Sequence, residues 1–486
     1  MNFSTLLVLA AAACQALGAT VHAQDLTPVG LVTPPEPAGL RVDERRSEQP
    51  LTVNALGRPV QLSGSWEYSD ELRDNFDLNS ATARDRRVRE HEVKLEARTR
   101  PTQDTELFLQ AVGLHESRRT QGSDGKQTSQ ALERGQAWVK FERLGGTLWA
   151  LQAGRVALID RRAWWWDDDL DAVRVLYAGD KWRLDTGLAR EVARVSSAEH
   201  GIKPSVRGVN RWFGQATWRL ARRHTIDAFW LHARDSSARP TVGSLAASED
   251  DTDPSDLTAR WHGLRASGEW RFDKGPRLAY WADAAMLRGS ETLTRYSERA
   301  DGQFTAGSSS TRRVRGQALD VGATLIFPVP LRPSVTLGYA RGSGGERSAT
   351  LDANFRQTGL QENKTRLAGV KRLRRYGELL QPELSNLAVS TLGAGVRVLG
   401  NSSVELVAHR YRQRVPSTEL PGARLSTDPL GANGDIGREL DLAVVLREWR
   451  QVELTFKWSR FKPGAAFASN RRNPARAIEL GMSVNF

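Results

Sequence analysis

Ile478-Glu-Leu-Gly-Met-Ser-Val-Asn-Phe486 puts an apolar side chain at every second position, with Glu479, Gly481, Ser483 and Asn485 between them. Successive residues of a β-strand point to opposite faces, so this segment carries one wholly apolar face and one polar face. A strand apolar on one side needs lipid or a core there, and the sequence around it decides which.

The same alternation recurs along the chain in segments of about ten residues, broken by turn-rich or charged stretches, which is the pattern of a transmembrane barrel. Residues 172–178 and 181–188 flank Gly179-Asp180, a pair that predicts a tight hairpin. Residues 317–327 run through a Pro-rich turn into residues 334–339, and residues 225–232 and 277–283 read as further strands. Long polar stretches at 117–129, 236–257 and 288–314 alternate with the short turns, as external loops alternate with periplasmic turns. The count comes to about 18 strands, so the expected fold is all-β, an antiparallel outer-membrane barrel. The final strand, ending on Phe486, resembles the signal read by the outer-membrane assembly machinery, an expected partner.

Residues 1–23 read as a secretory signal peptide, with an apolar run from Leu6 to Ala13 and a small-x-small site at Val21-His22-Ala23. The rival is a lipoprotein signal ending at Cys14, the only cysteine. Residues 24–55 form a Pro-rich periplasmic lead-in, and the barrel is assigned to 56–486. Cleavage after Ala23 would leave no cysteine, excluding disulfides and thiolate metal sites. No other segment offers the 18 or so apolar residues of a spanning helix. The formal charge is +12, and residues 1–23 contain no Lys, Arg, Asp or Glu, so the surplus belongs to the remainder and suits an anionic partner.

Strand parity indicates which charges face the lumen. In residues 452–458, Val452, Leu454, Phe456 and Trp458 take the lipid side, leaving Glu453, Thr455 and Lys457 inside. Lys94 goes inward with Glu92 and Glu96, opposite Val93 and Leu95. Many of the 15 tryptophans, including Trp66, Trp149, Trp182, Trp212, Trp218, Trp270 and Trp281, flank turns, as aromatic girdles require.

From Gly338 onward the chain resembles the alginate-export porins. Residues 338–345 (GYARGSGG), 356–360 (RQTGL), 375–378 (RYGE), 383–387 (ELSNL), 438–442 (RELDL) and 461–464 (FKPG) occur in that family's order, with Gly154-Arg155 and Trp166-Asp167 collinear upstream. The resemblance implies an 18-stranded outer-membrane barrel that passes alginate through a cation-lined pore. It adds Arg155, Arg190, Arg341 and Arg375 to the expected path, with Lys371 and Arg372 in the same basic cluster. Asp167 and Glu378 become acidic partners that hold arginines in place.

A uronate polymer carries one carboxylate per sugar, and arginine pairs with carboxylate through two hydrogen bonds while staying charged. The expected activity is therefore anion-selective export of an acidic polysaccharide, in contact with outer-membrane lipid and possible periplasmic export scaffolds. The alternative is an uptake porin for sugar acids or acidic oligosaccharides. No nucleophile elbow or zinc-protease motif supports an enzyme, and a nucleic-acid role conflicts with the signal and terminal strand. No cofactor is expected. Trp164-Trp-Trp-Asp-Asp-Asp169 stands apart, and reads as a solvated acidic loop, a gate, or a Ca²⁺ loop on its three carboxylates.

Overall fold

The computed structural model describes residues 50–486 except 56, 82–83, 122–124, 346–347 and 349. The expected signal peptide and nearly all of the expected Pro-rich lead-in fall outside these. Leu51–Ala55, assigned to the lead-in from sequence, fold back as a strand against the start of the first barrel strand, pairing Leu51 with Leu62 and Ala55 with Arg58.

Eighteen antiparallel strands form the barrel. The first nine are β1 (Arg58–Asp74), β2 (Arg86–Thr102), β3 (Thr105–Thr120), β4 (Lys126–Phe141), β5 (Trp149–Ile159), β6 (Asp167–Ala178), β7 (Trp182–Ala189), β8 (Val209–Ala221) and β9 (His224–Asp235). The second nine are β10 (Ser255–Arg271), β11 (Arg277–Glu298), β12 (Phe304–Ile326), β13 (Ser334–Gly342), β14 (Leu387–Val398), β15 (Ser402–Gln413), β16 (Asp435–Leu446), β17 (Val452–Pro463) and β18 (Ala475–Asn485). Each pairs with its chain neighbours, and β18 closes on β1 from Ser65↔Asn485 to Asp74↔Arg476. Gly64 and Phe486 finish the seam by exchanging backbone hydrogen bonds of 2.8 and 2.9 Å. Gly64 is required there, because a Cβ would stand 2.6 Å from the Phe486 ring.

Closure satisfies every strand edge, which lets a sheet cross hydrocarbon. The molecule is correspondingly turned inside out. Leu109, Leu188, Leu264, Leu337 and Leu480 are all more than half exposed on the outer wall, while Arg265, Asp283 and Asp320 are buried inside. The parity read for residues 452–458 and for the terminal strand holds: Glu453 and Thr455 are buried, and Ile478 and Leu480 are exposed.

Short connections such as 103–104, 222–223 and 399–401 lie at one end of the barrel, and the long ones, 190–208, 236–254, 343–386 and 414–434, lie at the other. The first end is periplasmic and the second external. Two expected loops prove to be strand. Residues 288–314 are the outer halves of β11 and β12, 22 and 23 residues long, and 117–129 contains the ends of β3 and β4. Beyond the lipid both faces of a strand meet water, so the apolar alternation that marks a strand disappears while the ladder continues.

The tryptophans divide. Trp149, Trp182 and Trp270 sit exposed near the periplasmic ends of their strands and Trp212 near an external end, as a girdle requires, and Trp182 stacks on Trp218 with ring centroids 5.5 Å apart. Trp281 belongs elsewhere. It shares inward parity with Asp283 and donates from Nε1 to Asp320 at 2.7 Å.

Candidate functional site

Two external loops descend into the barrel and shape its interior. The shorter is 160–166, which carries Trp164-Trp-Trp166. Asp160 caps it by accepting the backbone N–H groups of Trp164 and Trp165 at 3.1 and 3.2 Å. The three indoles are almost fully buried, with Trp165 stacked on Phe229 at 4.9 Å and Trp166 edge-on to Phe213 at 6.4 Å. Gly263 of β10 admits the Trp165 ring, since a Cβ there would lie 2.2 Å from it. The segment read as a solvated loop is thus the apolar filling of the β8–β10 side. Its tryptophans drive it inward, while Asp167, Asp168 and Asp169 begin β6.

Ionic contacts lock this filling. Arg265 binds Asp160 through Nη2 at 2.8 Å and Asp283 through Nε at 2.5 Å. Arg162 lies 3.3 Å from Asp283 and 3.4 Å from Asp320. Arg375 reaches Asp320 at 2.7 Å and the Arg162 carbonyl at 2.6 Å, and the Tyr376 hydroxyl donates to Asp320 at 2.9 Å. Three arginines are matched by three aspartates, which is what makes burial of so much charge tolerable.

The longer loop, 343–386, runs down the β14–β17 wall. Glu439 accepts the backbone N–H groups of Leu379 and Leu380 at 2.7 and 3.1 Å. The Val370 N–H donates to Ser403 at 3.0 Å, and its carbonyl accepts from Arg447 at 2.6 Å. Ser403 opens β15 and Arg447 follows β16, so the loop tip reaches the periplasmic end. Lys371 contacts Glu453 at 2.8 Å, Arg372 contacts Asp167 at 2.8 Å, and Glu378 contacts Lys457 at 3.0 Å. The Glu378 carboxylate also accepts the Arg374 backbone N–H at 2.8 Å, so both its oxygens are engaged.

Between this loop and β1–β6 remains a lumen cavity of 740 Å³. Of the residues expected on the path, it brings together Lys94, Arg155, Asp167, Lys371, Arg372 and Lys457. Glu378 sits behind Lys457. Arg155 is buried, with Nη1 3.3 Å from Glu191. Arg375 lies in the ionic filling instead. Arg190 is exposed in the external connection after β7, and Arg341 is exposed with the outward parity of Leu337 and Tyr339. These last three do not join the cavity. Each lies at or beyond a strand end, where neighbouring motif letters carry no parity information.

The described lining contains eight Lys or Arg and nine Asp or Glu side chains. The acids include Glu67, Glu92, Glu96 and Glu133 on β1, β2 and β4, and the cations Arg134, Lys364 and Arg447 were not singled out from sequence. Strand parity turns Glu92, Glu96 and Glu453 inward just as it does Lys94 and Lys457, so the acids are legible from the same alternation as the cations. Among the described residues no group of three or more His, Cys, Asp or Glu has metal-holding geometry.

A closed eighteen-stranded barrel, apolar outside and ionic inside, with loops narrowing its lumen, is an outer-membrane porin. Residues 45–478 match the "Alginate export" family profile, and the chain belongs to that family. It is 26% identical over 335 residues to the alginate production protein AlgE of Pseudomonas aeruginosa, covering 65% of this chain and 66% of that one. The protein of the same name in Pseudomonas syringae pv. tomato is 24% identical over 349 residues, covering 65% and 68%. The matched stretch thus spans about two thirds of each relative. Pseudomonas aeruginosa OccK9 (OpdG) shares the barrel fold, with a TM-score of 0.53 at 12% identity over 88% of this chain and 98% of that one.

Proposed function

We propose that this porin exports an acidic polysaccharide such as alginate across the outer membrane, with the polymer passing between the 343–386 loop and β1–β6. The observation that carries the reading is the convergence of Lys94, Arg155, Lys371, Arg372 and Lys457, from separate segments of the chain, on one lumen. Lys364, Lys371, Arg372 and Lys457 form a basic ledge on the loop and β17 side, facing the glutamates of β1, β2 and β4. A polyuronate runs along that ledge. Each cation already has a carboxylate partner, so a sugar carboxylate competes for it rather than binding outright, and weak binding at successive sites is what conduction needs. The acidic wall opposite limits how long a polyanion dwells.

The selectivity that follows is a modest preference for anions, set by arrangement rather than by excess of positive charge. Periplasmic scaffold proteins would present the polymer at the mouth near Arg447, and Phe486 would be the contact for the assembly machinery. Reversal potentials in planar bilayers under a KCl gradient test the lumen: anion preference, with conductance reduced by polyuronate, is expected, and cation preference overturns it. Secretion assays in a deletion strain test direction. Restored polymer release by the intact chain supports export, whereas growth on acidic oligosaccharides without release supports uptake.

A further inference from the structure

On the outer wall, the cross-strand register places cations side by side. Arg410 of β15 is directly opposite Arg438 of β16, and Arg438 is opposite Lys462 of β17, giving an unbroken row over three strands. Arg460, one step down on β17, stands beside it. All four side chains are exposed and face outward. Directly opposed like charges destabilise a sheet, and charge on a lipid-facing wall is unfavourable except near the interface. The neighbouring outward cations are matched in register, Arg412 by Asp435 and Arg476 by Asp74. Arg410, Arg438, Arg460 and Lys462 have no acid across from them. A row of this kind is stable when an external anion bridges it.

The row borders a groove of 1430 Å³ on the same wall. Its floor is small and smooth at Ala323, Gly338, Ser390 and Ala408, and Leu392 and Leu440 continue it. Leu440, Leu442 and Val444 run from Arg438 toward the periplasm along the outward face, so cations cap an apolar surface at the external end. Two acids also line the groove: Asp435, opposite Arg412, and Glu439, which is buried and engaged by the Leu379 and Leu380 N–H groups of the inner loop.

We propose that this groove binds a lipopolysaccharide molecule of the outer leaflet, with lipid A phosphates held by Arg410, Arg438, Arg460 and Lys462 and an acyl chain on the small-residue floor. Guanidinium groups bind phosphate through paired charge-assisted hydrogen bonds, and opposed side chains about 5 Å apart fit between them the oxygens of one phosphate. A second row, Arg260–Arg288–Arg315 across β10, β11 and β12, is likewise exposed and repeats the device on another sector of the wall. The inference stands apart from what the lumen carries, needing only the outer-membrane location.

Native mass spectrometry of the full chain, with bisphosphoryl lipid A added to the micelles, tests it. One lipid A per chain should be retained under activation that strips phosphatidylglycerol, and R410Q/R438Q/K462Q should weaken retention about tenfold or more. Heat-modifiable gel mobility checks that the variant is folded. If it is not, R438Q alone and fully dephosphorylated lipid A on the unaltered chain supply the same comparison. Equal retention of dephosphorylated lipid A, of phosphatidylglycerol, or of lipid A by the folded variants overturns the proposal.

Discussion

Replacing Arg265 by methionine should unseat the tryptophan-rich loop. Arg265 is 3% exposed and joins Asp160 of the loop to Asp283 of β11, the two contacts measuring 2.8 and 2.5 Å. Methionine keeps much of the volume but leaves two buried carboxylates. Breaking a buried ion pair by removing one partner costs about 3–5 kcal/mol. Asp283 retains Arg162 at 3.3 Å and Asp160 retains three backbone N–H groups, so the lower end, about 3 kcal/mol, applies. At about 1.4 kcal/mol per decade, the ratio of seated to unseated loop falls roughly a hundredfold. Tryptophan emission should shift red and become more quenchable by acrylamide as Trp164, Trp165 and Trp166 leave their pocket. Single-channel conductance should rise or grow noisy. Neutralising both aspartates in the Arg265→Met background should restore much of the loss, because the penalty lies in the unpaired charges. Unchanged emission and conductance, with urea unfolding within about 0.5 kcal/mol of the parent, would refute this role for Arg265.

Three further outcomes are expected. Lys371→Glu and Arg372→Glu should each lower the anion preference of the channel with the barrel intact, while Arg341→Glu, on the outer wall, leaves selectivity alone; equal effects at all three would dissolve the lumen assignment. Burial together with Asp256 and Asp235 raises Asp253 in the external 236–254 connection to about 6. An acid raised above its unfolded value is least favourable to folding when ionised, and that strain is relieved as pH falls through about 6. Asp253→Asn should therefore protect this connection from protease near neutral pH and make no difference well below pH 6, and protection independent of pH would rule out titration as the cause. Gly64→Val should force the Phe486 ring from the seam and slow conversion to the heat-modifiable folded form in vesicles, and an unchanged folding rate would show that the seam tolerates a side chain there.

Alternation at residues 452–458 and 478–486 made the barrel wall legible, because lipid outside and water inside impose opposite chemistry on successive residues. It also turned Lys94, Lys457, Glu92, Glu96 and Glu453 inward, and all five line the lumen cavity. The interior fillings were not legible. Loop 160–166 turns inward because Trp165 meets Phe229 and the space above Gly263, which lie far away in sequence, and no local pattern announces that meeting. The ionic knot of Arg162, Arg265, Arg375, Asp160, Asp283 and Asp320 was hidden for the same reason: half of its members sit on strands, half on loops. Arg375, expected on the path from family likeness, is committed to Asp320 by that packing.

The 343–386 loop has both ends at the cell surface and its middle, at Val370, hydrogen-bonded beside the periplasmic mouth. One uninterrupted piece of chain therefore touches both compartments without being part of the wall. The stretch behind its tip is pinned to the inner side of the barrel, Leu380 to Glu439 of β16 and Glu378 to Lys457 of β17. The barrel is a sheath and the loop a cord threaded through it and stitched to its lining, so a chain segment spans the thickness of the membrane without meeting lipid.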